Sequence, residues 1–302
     1  MDPDAIILED ATLDFDGDRG LDGMSFSVAR GQMFGLVGPD GAGKTTAIRA
    51  LLGILPLDSG RARVLGLDPV ADAARVKEVT GYLAQRFSLY GDLTVQENLE
   101  FFGELHRVQG LGARIDELLA FTRLAEFRRR RADELSGGMQ KKLALASTLV
   151  HTPEVLFLDE PTTGVDPVSR REFWTLLGEE VLGGLTVLVT TPYLDEAERC
   201  ARVALVRDGK TLAQDTPEGL RSSYGGTVLE VVCTPAREAR RLLEGNPRVR
   251  NVRLFGDRLH VTPARMDDDL ADLLSRMPGV EVASARRIEP SLEDVFIARV
   301  EA

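Results

Sequence analysis

Three short stretches carry residue types that do chemistry where strands end and helices begin. "GPDGAGKTT" at positions 38–46 sets Gly38, Gly41 and Gly43 ahead of Lys44, Thr45 and Thr46, in the order of a phosphate-binding loop. Glycines at these places let the backbone curl, so that successive N–H groups face phosphate oxygens at a helix N-terminus. Lys44 adds a point charge for the outer phosphates, and the Thr45 hydroxyl suits a magnesium shell. "VLFLDEP" at 155–161 ends an apolar run in two adjacent carboxylates, Asp159 and Glu160. Such a pair at the end of a buried strand is costly without a cation nearby. The economical division of labour gives Asp159 to the metal and makes Glu160 the base that polarises an attacking water. "LSGGMQKK" at 135–142 opens a helix with Ser136, Gly137 and Gly138, leaving backbone N–H groups free for an anion.

Residues of this kind need a scaffold that brings strand ends together. Apolar stretches at 34–38, 155–159, 186–191 and 203–209 have strand length and alternate with patterns of helical period, which predicts a largely parallel sheet covered by helices. Ligands in such sheets bind at the carboxyl ends of the strands, where the first two motifs fall. Between 85 and 150 the pattern turns helical, predicting an inserted helical subdomain at about 86–150. After a turn-rich junction at 222–227 the order is strand (228–233), helix (236–245), two strands (249–255, 258–263), helix (267–277) and strand (281–288), with a closing helix at 291–300. That order predicts a small ferredoxin-like α+β unit.

Composition narrows the function classes. The 302 residues are 43% hydrophobic and 28% charged, enough for one large core or two smaller ones. A net charge of −11 argues against a surface held to nucleic acid by basic residues. No apolar run approaches the roughly 18 residues that span a bilayer, and "MDPDAIILED" is not a basic signal-peptide start. Membrane work is therefore expected to go through a partner. Cys200 and Cys233 are far apart and lack metal-ligand companions, so they are expected to be free thiols in a reducing compartment.

The phosphate loop, Gln85, "LSGGMQ", "FLDEP" and "TTGVDP", in this order and spacing, resemble the nucleotide-binding subunit of ATP-binding-cassette (ABC) transporters over about residues 5–220. The resemblance implies an α/β fold with a P-loop ABC ATPase core at 1–224, an accessory α+β domain at 225–302, and ATP and Mg2+ as ligands. It implies that Phe15 stacks on adenine and that the loop residues Gly38, Asp40, Gly41, Ala42, Gly43, Lys44, Thr45 and Thr46 hold the phosphates. It makes Gln85 a sensor of magnesium, ligating it with Thr45 and Asp159. Ser136, Gly137 and Gly138 would touch the terminal phosphate bound by a second cassette, with Asp166 at the seam. The partners implied are a separate transmembrane permease subunit and a second cassette, as homodimer, heterodimer or tandem fusion, and no nucleic acid. The place implied is cytoplasmic, peripheral on the inner or plasma membrane through the permease. The tail ending "PSLEDVFIARV" is similar to the C-terminal extension of drug and polysaccharide exporter ATPases, and the whole resembles the N-terminal cassette of the YbhF-type exporters.

Two residues depart from the family pattern. Asp40 stands where many relatives have asparagine, and because the loop binds through backbone, little effect is expected. Pro192 stands where most active cassettes place a histidine directly after the last core strand. A proline has no side-chain donor and no N–H, so nothing at 192 replaces that contact. Two readings stay open: a hydrolysing motor subunit of an exporter, and a regulatory cassette that binds ATP and turns it over slowly. A soluble ABC ATPase acting on ribosomes or DNA lacks support, since there is no second cassette, coiled-coil insertion or basic surface. His106, His151 and His260 are read as scattered structural or surface residues.

Overall fold

The computed structural model describes residues 4–300 apart from 16, 87–88 and 266–269. The chain forms two compact units that divide between Pro217 and Glu218. In the first, β1 (Asp4–Phe15), β2 (Asp18–Ala29) and β3 (Met33–Val37) lead into α1 (Lys44–Leu51), β4 (Ser59–Val64), α2 (Ala73–Val79) and β5 (Thr80–Leu83). The helical insertion follows as α3 (Val95–Leu105), α4 (Leu111–Phe121) and α5 (Gly137–Leu149). The chain then returns through β6 (Val155–Asp159), α6 (Pro167–Leu182), β7 (Thr186–Thr191), α7 (Leu194–Ala197), β8 (Arg202–Arg207) and β9 (Lys210–Asp215).

The central sheet has the order β5-β6-β7-β3-β8-β9, parallel throughout except for the hairpin of β8 and β9. Strands β3, β6 and β7 are buried at every position, which explains why they read as mostly apolar stretches without a two-residue alternation. Their register sets Val37 beside Thr191 and Asp159 beside Thr190, so the phosphate loop and the paired carboxylates leave the sheet at the same edge. A second sheet, β2-β1-β4, is antiparallel and packs its inner face into a core with Phe34, Leu51, Phe157 and Leu188. Sequence periodicity did not announce it. Register shifts at Leu8/Ala11, Ala11/Thr12 and Leu13/Asp14 break the two-residue alternation that would mark its strands.

Local signals set the helix starts. Thr94 and Glu97 form a reciprocal capping box on α3. The Ser136 hydroxyl accepts from Met139 N–H at the start of α5, and Asp166 accepts from the N–H groups of Val168 and Ser169 ahead of Pro167 on α6. No helix among the described residues is long and apolar enough to cross a membrane.

The second unit contains β10 (Val228–Thr234), α9 (Ala236–Leu243), β11 (Val249–Phe255), β12 (Arg258–Pro263), α10 (Ala271–Ser275), β13 (Glu281–Ile288) and α11 (Leu292–Val300), with α8 (Pro217–Ser222) at the division. Its antiparallel sheet, in the order β11-β12-β10-β13, has the ferredoxin-like topology. Residues 267–269, where the helix before β13 was expected to begin, lie outside the described residues. The division falls earlier than 224/225. Tyr224 belongs to the second unit, where its hydroxyl is 2.7 Å from Thr262 Oγ1.

Candidate nucleotide site

The loop between β3 and α1 is shaped by glycines that nothing larger could replace. A Cβ on Gly38 would lie 2.1 Å from the Val206 carbonyl oxygen, and one on Gly43, at φ 92°, would lie 2.5 Å from the Gly20 carbonyl oxygen. The cradle is therefore a close passage of backbone past backbone, which is what a phosphate approached by N–H groups requires. Lys44, only 4% exposed, donates to the carbonyls of Gly38 and Pro39 at 2.9 Å each and pairs with Glu160 Oε1 at 3.1 Å.

The two carboxylates at the end of β6 diverge. Asp159 accepts the Thr45 hydroxyl at 3.0 and 2.8 Å through its two oxygens, and the Thr190 hydroxyl at 2.7 Å. Glu160 turns the other way. Its Oε2 accepts from Gln85 Nε2 at 2.9 Å while Oε1 faces Lys44, and its own N–H donates to the Thr190 carbonyl at 3.1 Å and hydroxyl at 3.0 Å. Each carboxyl group thus has its own partners.

Phe15, Asp40, Gly41, Ala42, Gly43, Lys44, Thr45, Thr46, Gln85 and Glu160 line one cleft of about 480 Å3. Gly38 and Asp159 are buried next to it. Phe15 is 45% exposed at the end of β1, and a Cβ on Gly20 would come 2.6 Å from its ring, so the glycine leaves room for the ring to lie across the cleft mouth. Ser136, Gly137 and Gly138 are not brought to the loop. Gly137 lines a neighbouring cleft of about 380 Å3 that shares Gln85 with the first. There Lys141 donates to the Gln85 carbonyl at 3.4 Å, and burial pushes its ammonium below the usual lysine range. Gly138 lies against α6, where a Cβ would fall 2.2 Å from Ser169 Oγ. Asp166 caps that helix, and the Ser169 hydroxyl and N–H, with Val168 N–H, hold its carboxyl below the usual range. Pro192 follows Thr191, whose carbonyl accepts from Gly38 N–H at 3.4 Å, so position 192 adjoins the start of the loop.

Sequence reasoning missed the supporting residues Thr190, Thr191, Thr162 and Glu196, whose roles rest on side chains that meet only in the fold. It also read His106 and His151 as scattered, whereas their rings stack at 3.9 Å.

The donors present fit a magnesium nucleotide. A hard cation takes an alcohol and a carboxylate oxygen together with substrate phosphates, and Thr45 and Asp159 stand side by side. No cluster of three His, Cys, Asp or Glu among the described residues offers a rival metal centre.

A glycine cradle at a strand end, a buried lysine, and separate threonine–aspartate and glutamine–glutamate pairs on a parallel sheet with a helical insertion define a nucleotide-binding cassette of the ATPase class. The chain belongs to the ATP-binding subunits of ABC transporters. The family described as ABC transporter matches residues 21–163, and the family described as ATP-binding protein DrrA1-3-like, C-terminal domain, matches residues 216–300. The chain is 41% identical over 278 residues to the probable multidrug ABC transporter ATP-binding protein YbhF of Escherichia coli (strain K12), covering 90% of this chain and 47% of YbhF. It therefore spans about half the length of that relative. It is 39% identical over 291 residues to the daunorubicin resistance ATP-binding protein DrrA2 of Streptomyces coeruleorubidus, covering 92% of this chain and 89% of DrrA2. Among solved structures it is similar to cbiO1 from Clostridium perfringens, part of the ABC transporter complex cbiONQ, at 26% identity and a TM-score of 0.66 over 73% of this chain and 92% of that one.

Proposed function

We propose that this chain hydrolyses Mg-ATP to power an exporter, working on the cytoplasmic face of a membrane with a separate permease subunit and a second cassette. The observation that carries the reading is the convergence of Lys44, Thr45, Gln85 and Glu160 on one cleft, with Asp159 buried behind Thr45 and bonded to its hydroxyl. In this reading backbone N–H groups of the loop and Lys44 bind the phosphates, Phe15 stacks on the base, and Thr45, Asp159 and Gln85 hold Mg2+. The ion, when bound, neutralises charge on the phosphate oxygens. Glu160 orients a water and takes its proton. Ser136, Gly137 and Gly138, lining or adjoining a cleft away from the loop, suit contact with nucleotide on a second cassette. The multidrug and daunorubicin-resistance names of the relatives support export of a drug-like compound. The second unit, which holds none of these residues, is taken as an accessory domain.

A slow, regulatory cassette is the second reading, favoured by Pro192. Steady-state phosphate release at saturating Mg-ATP, for the parent chain and for Glu160→Gln, tests the main proposal. Turnover in the parent that the substitution removes is the expected result, and equal rates would overturn it.

A further inference from the structure

Glu196 is a buried carboxylate that the cleft chemistry does not use. It is 1% exposed on α7. Its Oε2 accepts the Thr191 hydroxyl at 2.5 Å. Its Oε1 accepts the Thr162 hydroxyl and, at 3.4 Å, the Trp174 indole N–H, while Arg170 Nε stands 3.7 Å away as an ion-pair partner beyond hydrogen-bond reach. A carboxylate is buried this deeply only where donors satisfy it, and here the donors come from three separate pieces of chain. Thr191 is the last residue of β7, Arg170 and Trp174 lie on α6, and Thr162 is in the turn that begins at Glu160.

That turn is strained. Glu160 has φ of 47°, in the left-handed region that a non-glycine residue enters only at a cost. Strain of this kind persists where the surroundings over-determine it. At the start of the turn the Glu160 N–H is held by the carbonyl and hydroxyl of Thr190. Within it, Thr163 N–H donates to the Glu160 carbonyl at 3.3 Å and Val165 N–H to the Thr162 carbonyl at 3.1 Å. On the far side Thr162 is tied through Glu196 to Thr191. Adjacent residues of β7 therefore hold the turn at two points, Glu160 directly and Thr162 through the Glu196 carboxylate.

We infer that Glu196 is a positioning residue for Glu160: it clamps the turn after β6 to the end of β7 and so keeps the Glu160 side chain aimed at Lys44 and Gln85. The inference rests on Glu160 being the base, as proposed above.

Four proteins test it: the parent, Glu196→Gln, Glu160→Gln and the double variant. Mg-ATP affinity of Glu196→Gln should stay within about twofold of the parent while turnover falls by about tenfold or more, the pattern of a lost transition-state contribution. Residues acting as one unit are non-additive, so the double variant should be no slower than Glu160→Gln alone. Hydrogen exchange of peptides covering 160–166 should quicken in Glu196→Gln while the α1 amides keep their protection. Thr162→Val cuts the same link from the other side and should give the same exchange pattern; it carries the comparison should Glu196→Gln fail to fold. Unchanged exchange at 160–166 in both variants, or a further loss of turnover in the double variant, overturns the clamp. A parent without turnover that Glu160→Gln can remove would instead overturn the proposed function, and the exchange measurement would still decide whether Glu196 holds the turn.

Discussion

The Thr45 hydroxyl donates to both carboxylate oxygens of Asp159, at 3.0 and 2.8 Å, joining the first turn of α1 to the end of β6 across a separation of 114 residues. A cation held there would gain an alcohol and a carboxylate already in register. Asp159→Asn should therefore leave nucleotide binding in excess chelator unchanged while removing the gain in affinity that magnesium brings. Turnover should fall by about 10²-fold, given the several kcal/mol a metal contributes at a charge-developing centre. Titration of ATP with and without Mg2+ checks the first point, and phosphate release the second.

Lys44 and Glu160 form a buried pair, so removing one partner strands the other. Lys44→Ala should lose tight Mg-ATP binding and also lose about 3–5 kcal/mol of stability, the usual cost of leaving one buried charge unpaired. Lys44→Ala combined with Glu160→Gln should regain most of that stability without regaining binding. Urea unfolding of the nucleotide-free proteins measures the difference.

Glu160→Gln keeps the size of the side chain while removing the proton acceptor and the charge facing Lys44. Binding of Mg-ATP should be equal to or tighter than in the parent, and an ATP-dependent dimer should accumulate, because hydrolysis no longer dissolves it. Light scattering with and without Mg-ATP reports the mass; a monomer at saturating nucleotide would exclude the homodimer and leave only a different chain or a fused cassette as the second partner.

Position 192 offers the cleanest comparison of the two readings. One preorganised donor at a charge-developing centre contributes about 10² to 10³ in rate, and proline supplies none. The parent chain alone should turn over slowly, and Pro192→His should speed it with little change in ATP affinity. A histidine variant no faster than the parent would show that another step limits the rate.

The stacked His106 and His151 predict a pH dependence of stability. Burial lowers the pKa of both below the ordinary histidine value of 6.5, and for His151 the neighbouring His106 and Arg114 lower it further. His151 Nε2 donates to the Thr80 carbonyl at 3.0 Å, and its buried Nδ1 has no hydrogen-bond partner among the described residues, so a second proton has no acceptor. Because the unfolded chain binds protons first, stability from this pair is fully present above pH 6.5 and is lost as pH falls from there through the depressed native values. Melting temperatures should drop between pH 7 and pH 5, and His151→Gln should flatten that drop.

Local sequence was enough for everything that local geometry governs. Glycines at 38, 41 and 43 before a lysine and two threonines mark the loop, Gly41 and Gly43 through the positive φ of 79° and 92° that they adopt, although the neighbours that exclude a Cβ at Gly38 and Gly43, Val206 and Gly20, come from elsewhere in the chain. Ser136 likewise marked a helix start through a bond made within three residues, and the strand-length stretches of β6 and β7, mostly apolar, marked buried parallel strands. The tertiary structure decided which distant groups meet. That Asp159 turns to Thr45 while Glu160 turns to Lys44 and Gln85 depends on a left-handed residue at the end of β6 and on Thr190 beside it. That Glu196 binds Thr162 and Thr191, that two histidines stack, and that β1 and β2 form a separate antiparallel sheet with β4 all depend on contacts between segments far apart in the chain. Such contacts leave no periodicity and no fixed spacing in the sequence, because the energy that selects them comes from burial and hydrogen bonding that exist only once the sheet has assembled.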